Sequence, residues 1–121
     1  MVDLNLTPYL QEKLKQAQTL QQQLESVVTQ RYQLDLKVKE IAKTLEELAK
    51  AGNDTVVFKS VGSILISVKD VENLKKELED EKETLEVRLK TLEKQQKMLE
   101  DKYKDIQNEF AKAYGQQGQG N

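Results

Sequence analysis

Carboxylates and ammonium groups are the reactive side chains this sequence offers in quantity. There are 21 Asp and Glu against 19 Lys and Arg in 121 residues, and no His or Cys. The commonest general base near neutral pH is therefore missing, and so are thiolate nucleophiles, disulfides and the usual zinc ligands. The charges recur instead at a helical spacing. Glu72 with Lys76, Glu86 with Lys90, Glu93 with Lys97 and Glu100 with Lys104 are each four residues apart, Glu first. Such pairs add about 0.2–0.5 kcal/mol each to a helix and describe a solvated face. No Gly-rich phosphate loop is present. Neither an enzyme nor a cofactor is expected, and the chemistry that remains is apolar contact. It is concentrated in "TVVFKSVGSILISVK", residues 55–69, and at the two ends of the chain.

The elements that must position those residues can be read from the spacing. Leu6, Leu10, Ala17, Leu20, Leu24, Val27, Leu34, Val38, Ile41, Leu45 and Leu48 fall on alternating steps of three and four, with Lys13 and Arg31 filling two gaps. This apolar seam predicts a coiled-coil helix over 7–51. Thr7 before Pro8 is a start signal, and Gly52 is a stop signal through a left-handed conformation. Val71, Leu78, Leu85, Leu92, Leu99, Ile106 and Ala113 recur every seven residues, and Leu89, Tyr103 and Phe110 make the second column, interrupted by Lys82 and Gln96. A second helix is predicted over 70–114, capped by Asp70. The polar interruptions serve register and partner number, not catalysis. The tail 115–121, rich in Gly and Gln, is expected to be disordered.

Between the helices the period changes to two. Val56 and Phe58 alternate with Val57 and Lys59, and Ile64, Ile66 and Val68 alternate with Leu65, Ser67 and Lys69. These are strand signals, and Gly62-Ser63 is a turn signal. A helix running through this segment is disfavoured by Gly62 and by the run of Val. The charges of the whole chain nearly cancel, at −2, and are interspersed, which leaves no basic footprint for nucleic acid. No run of about 18 apolar residues exists to span a membrane, and "MVDLNLTPYL" lacks the basic-then-apolar pattern of a signal peptide. The absence of Cys fits a cytoplasmic location.

One domain, 1–121, is expected: mainly α, a long antiparallel two-helix coiled coil joined by one β-hairpin. Each helix would run about 65 Å at 1.5 Å per residue. A two-stranded hairpin is marginal alone in water, and this one is apolar on both faces. The expectation is that Val56, Val57, Phe58, Val61, Gly62, Ile64, Leu65, Ile66 and Val68 pair with hairpins of other chains in a shared sheet or inter-subunit barrel. The chain termini would meet at the far end of the coiled coil. There Val2, Leu4, Leu6, Tyr9, Leu10, Phe110, Ala113 and Tyr114 would form an apolar cluster, with Leu10 and Phe110 also in register for the seam.

The stretch "VVFKSVGSILISV" resembles the hairpin of beta-class prefoldin subunits. "QQQLESVVTQR" and "EKETLEVRLKTLEKQQKMLEDK" resemble that family's first and second helices. Phe58 stands where Tyr is common in the family. The resemblance implies a subunit of an archaeal-type, ATP-independent holding chaperone. It implies a hexamer of two alpha and four beta subunits, with the hairpins joined in a β-barrel. It also implies that the coiled-coil tips bind unfolded client proteins and deliver them to a group II chaperonin. Two other readings stay open: a structural coiled-coil tether, which as an extended parallel dimer would not fold back, and a prefoldin-like subunit of a specialised assembly.

Overall fold

The computed structural model describes residues 7–118, with side chains except at Tyr114 and from Gln116 onward. The order of elements is helix, hairpin, helix: α1 (Pro8–Lys50), β1 (Phe58–Val61), β2 (Ile64–Ser67) and α2 (Val71–Gly118). Thr7 starts α1 as an N-cap. Its Oγ1 accepts the Leu10 N–H at 3.2 Å, and its carbonyl accepts the Gln11 N–H at 2.9 Å. Pro8 follows at the one place where a missing N–H costs nothing. Asp70 caps α2 in the same way, with its Oδ1 accepting the Asn73 N–H at 3.0 Å.

Both helix ends differ from expectation. Gly52 does not stop α1 through a left-handed conformation, because Gly62 is the sole residue with positive φ among those described. A tightened last turn ends the helix instead: Ala51 N–H donates to the Leu48 carbonyl at 3.2 Å. A turn follows in which Gly52 N–H donates to Thr55 Oγ1, and Thr55 N–H donates to the Gly52 carbonyl, both at 3.0 Å. With its amide and carbonyl thus satisfied, Gly52 has no call on its conformational freedom. At the other end α2 runs on to Gly118, four residues past 114. Residues 115–118 are helical, not an irregular tail.

The described chain forms two compact units. One contains the chain ends, up to Arg31 and from Thr91. Here α1 and α2 run antiparallel: Lys13 reaches Glu109, and Arg31 reaches Glu93. Leu10, Val27, Leu92 and Ile106 are buried between them, flanked by half-buried Ala17, Leu20, Leu24, Leu99, Tyr103, Phe110 and Ala113. These within-chain contacts are those of a fold-back, and they remove the extended parallel dimer.

The second unit is Tyr32–Lys90. Its seam is Ile41 and Leu48, both buried, with Leu34, Val38, Leu45, Leu78, Leu85 and Leu89 half-buried. Leu74, one residue off the second heptad column, is half-buried as well. The hairpin belongs to this unit. Its strands pair antiparallel with Phe58 opposite Ser67, Lys59 opposite Ile66, Ser60 opposite Leu65 and Val61 opposite Ile64. They are four residues each, shorter than the expected span 55–69. Val57 and Val68 continue the pairing by one hydrogen bond, from Val68 N–H to the Val57 carbonyl at 2.8 Å.

Candidate functional sites: an exposed hairpin and a clasped distal end

The hairpin turn is built around Gly62, with φ of 60°. Ser63 has no positive φ, so the Val61–Ile64 turn is the two-residue form with Gly first, type II′. Its twist matches that of the strands it joins. Side chains alternate across the ribbon. One face presents Phe58, Ser60, Leu65 and Ser67. The other presents Lys59, Val61, Ile64 and Ile66, and continues into Val57 and Val68.

All eight strand residues are exposed. Phe58 and Ile64 are each 58% exposed and Leu65 is 70%. No described residue covers the two faces, and among the described residues the outer edges of β1 and β2 have no further strand. Val57 and Val68, at the root of the ribbon, are half-buried, and Val56 is exposed. A short row of large apolar side chains with open backbone edges is a template for another chain. The residues assigned to association from the sequence are thus brought together in one ribbon, and its root is the part the chain itself covers.

At the distal end the expected apolar cluster is divided. Leu10 is 3% exposed and closed into the seam, and Phe110 and Ala113 are half-buried. Tyr9 projects outward at 58% exposure. Val2, Leu4, Leu6 and the side chain of Tyr114 lie outside the described residues. Polar contacts overlooked in the sequence close this end. Glu109 Oε2 accepts from Lys13 Nζ at 3.1 Å and from the Tyr9 hydroxyl at 3.3 Å. Lys13 Nζ also sits 5.5 Å from the centre of the Tyr9 ring. The hydrogen bond to Glu109 raises the Lys13 pKa above its ordinary value, against a partial opposing effect of desolvation. Lys13 had been noted as a gap in the seam; its partner was hidden because Glu109 lies off the heptad positions. Alongside, an open groove of about 460 Å³ is floored by Leu20 and Ile106 and rimmed by Glu12, Lys102 and Glu109.

Two further seam interruptions meet each other. Arg31 Nη1 donates to Gln96 Oε1 at 2.6 Å, and Arg31 Nη2 to Glu93 Oε1 at 3.3 Å. Gln96 Nε2 donates onward to Glu100 Oε1 at 2.7 Å. None of the four expected i,i+4 ion pairs forms among the described residues. Glu93 and Glu100 turn to the seam and not to Lys97 and Lys104, while Glu72 pairs with Lys75, and Glu86 with Lys82 at 3.6 Å. Exposed pairs contribute so little that a better-placed donor readily takes the carboxylate. Among the described residues no cluster of carboxylates could hold a metal ion, and no helix is long and apolar enough to cross a membrane.

Two long helices joined by a hairpin whose faces no described residue covers make up the fold, and comparison with known proteins gives that fold a family. The prefoldin subunit family model matches residues 11–117. The prefoldin beta subunit of Thermoplasma volcanium is 54% identical over 74 residues, covering 61% of this chain and 60% of that protein. The prefoldin beta subunit of Thermoplasma acidophilum is 50% identical over the same length and shares. The matched stretch thus spans about three fifths of each of these curated relatives. The crystal structure of the prefoldin beta subunit from Thermococcus strain KS-1 superposes with a TM-score of 0.79 at 37% identity, over 90% of this chain and 95% of that one. The chain belongs to the prefoldin subunit family, and its likeness is to the beta subunits.

Proposed function

We propose that this chain is a subunit of an ATP-independent holding chaperone. Its hairpin joins those of other subunits, alpha-class ones among them, in a β-barrel platform; in the archaeal form that assembly has two alpha and four beta subunits. The distal ends of the paired helices hold unfolded polypeptide for transfer to a group II chaperonin, and the chain acts in the cytoplasm.

The observation that carries this reading is the exposure of all eight residues of a mostly apolar ribbon with two open edges. Burying one Ile or Phe side chain in a partner is favourable by about 1.5–3 kcal/mol, so the ribbon has ample reason to be covered. At the distal end the affinity of one subunit for a client would be weak, because Leu10 and Ile106 are already spent on the seam. Several ends around one cavity raise it through effective concentration. Weak, multiple contacts also allow release without nucleotide.

The test uses the full chain mixed with an alpha-class prefoldin subunit. Sedimentation should give a hexamer, and the complex should suppress aggregation of a chemically unfolded protein. Replacing Ile64 with Asp should abolish assembly while leaving the helices intact by circular dichroism. An Ile64→Asp chain that still forms the hexamer overturns the role of the hairpin. Replacing Tyr9 with Ser in the assembled complex should weaken suppression; unchanged suppression argues against the distal ends.

A further inference from the structure

The ribbon differs from the rest of the chain in charge as well as exposure. No acidic residue occurs between Asp54 and Asp70, whereas Lys59 and Lys69 both do. The two helices carry both signs, and most described pairs lie within a single helix. Lys59 is the informative one. It stands on the face made by Val61, Ile64 and Ile66, directly opposite Ile66. It is the one charge on that face, and within the described residues its ammonium has neither an ion pair nor a side-chain hydrogen bond.

This arrangement is a poor design for pairing with a second copy. Two β1 edges meeting antiparallel about a two-fold axis at residue 59 bring Lys59 against Lys59. Like charges directly opposite on a sheet are destabilising, and an inward-facing Lys is a known way to protect an edge. The same side chain suits an unlike neighbour. Its four methylenes can lie along Ile66 while the ammonium reaches the margin of the ribbon, where a carboxylate would meet it.

We propose that Lys59 determines specificity in assembly. It disfavours pairing between copies of this chain and selects a β-strand of a different chain that presents Asp or Glu to it. The inference rests on the hairpin being the assembly interface and adds the chemistry of the partner.

The experiment measures self-association of the full-length chain by sedimentation at low and high salt. Lys59→Met should self-associate about five-fold more tightly than wild type, the scale of one cross-strand pair. It should also lose the salt-induced strengthening that screening gives to the wild type. Lys59→Glu mixed with wild type should form mixed assemblies in excess of the statistical proportion by native mass spectrometry, a result that added hydrophobicity alone does not produce. Lys59→Met indistinguishable from wild type, or a purely statistical mixture, overturns the proposal. Ile64→Asp separates the two levels. If it abolishes association while the Lys59 variants behave as wild type, only the role of Lys59 fails. If association survives Ile64→Asp, the hairpin is not the interface, and both readings fail.

Discussion

Replacing Gly62 with Ala isolates the turn from everything it holds. The residue has φ of 60°, and a Cβ placed there meets no atom within 4 Å. The cost is therefore conformational and not steric crowding by neighbours. An L-residue held in a sparsely populated backbone region costs about 1–3 kcal/mol. At 1.4 kcal/mol per decade, that is a roughly 5- to 150-fold fall in the ratio of closed to open hairpin. An isolated two-stranded ribbon is marginal to begin with, so the open form becomes dominant. The assay is hydrogen exchange at the Val68 amide, which bonds to the Val57 carbonyl at 2.8 Å and reports closure directly. Protection should fall by that factor, down to the floor set by an unstructured amide. A chemically assembled chain with D-Ala at 62 should keep its protection, since the mirror-image residue prefers positive φ. The Val27 amide, deep in α1, is the internal reference and should be unchanged in both. Equal protection in the L-Ala and wild-type chains, or equal loss with L-Ala and D-Ala, would refute a glycine chosen for its backbone.

Four other outcomes follow from the helices. Leu10→Ala and Ile106→Ala each empty a buried seam position, and should destabilise by about 2 kcal/mol, the low end for such cavities because a two-helix seam lets water in. Met98→Ala, at 58% exposure, should stay within about 0.5 kcal/mol by the same thermal unfolding. Arg31→Leu alone leaves Gln96 Oε1 without its donor and should cost about 1–2 kcal/mol, whereas Arg31→Leu with Gln96→Leu should recover or exceed wild-type stability; a double variant weaker than either single one contradicts this account of the layer. Lys13, whose pKa is raised from 10.5 by Glu109, should titrate above that value by NMR, and Glu109→Gln should return it. Because the folded value is the higher one, the clasp's contribution is complete below pH 10.5 and is lost as pH rises through the folded value. Distal-end protection factors, corrected for the base-catalysed intrinsic rate, that fall between pH 7 and 9 would go against that sign.

The seam was legible because a heptad records burial directly. Leu10, Val27, Ile41, Leu48, Leu92 and Ile106, each named from spacing, are the residues the fold buries. Asp70, Thr7 and the Gly62 turn were legible because capping and tight turns demand particular side chains at particular offsets. Contacts between the helices were not. Heptads placed Lys13, Arg31, Lys82 and Gln96 on the seam without saying which would meet. Arg31 finds Gln96 across the seam, Lys13 finds Glu109, and Lys82 turns along its own helix to Glu86. The difference lies in register, which the pattern repeats every seven residues and therefore leaves free to slide. The i,i+4 ion pairs failed for a related reason. Each carboxylate had several donors within reach, worth nearly the same, and the choice fell to geometry that spacing does not contain.

The division of labour between seam and ribbon has a physical basis. Paired helices satisfy their own backbone groups and bury their apolar stripe within one chain. A two-stranded ribbon does neither. Its outer edges keep free N–H and C=O groups, and Phe58, Leu65 and Ile64 stay in water. Val57 and Val68 reconcile the two. They are the half-buried end of the ribbon, bonded to each other beside the ends of α1 and α2. Together with the II′ turn they hold the strands paired at both ends without covering the faces between. A ribbon kept closed but uncovered has met part of its ordering cost in advance, and so has less to lose when another strand is added.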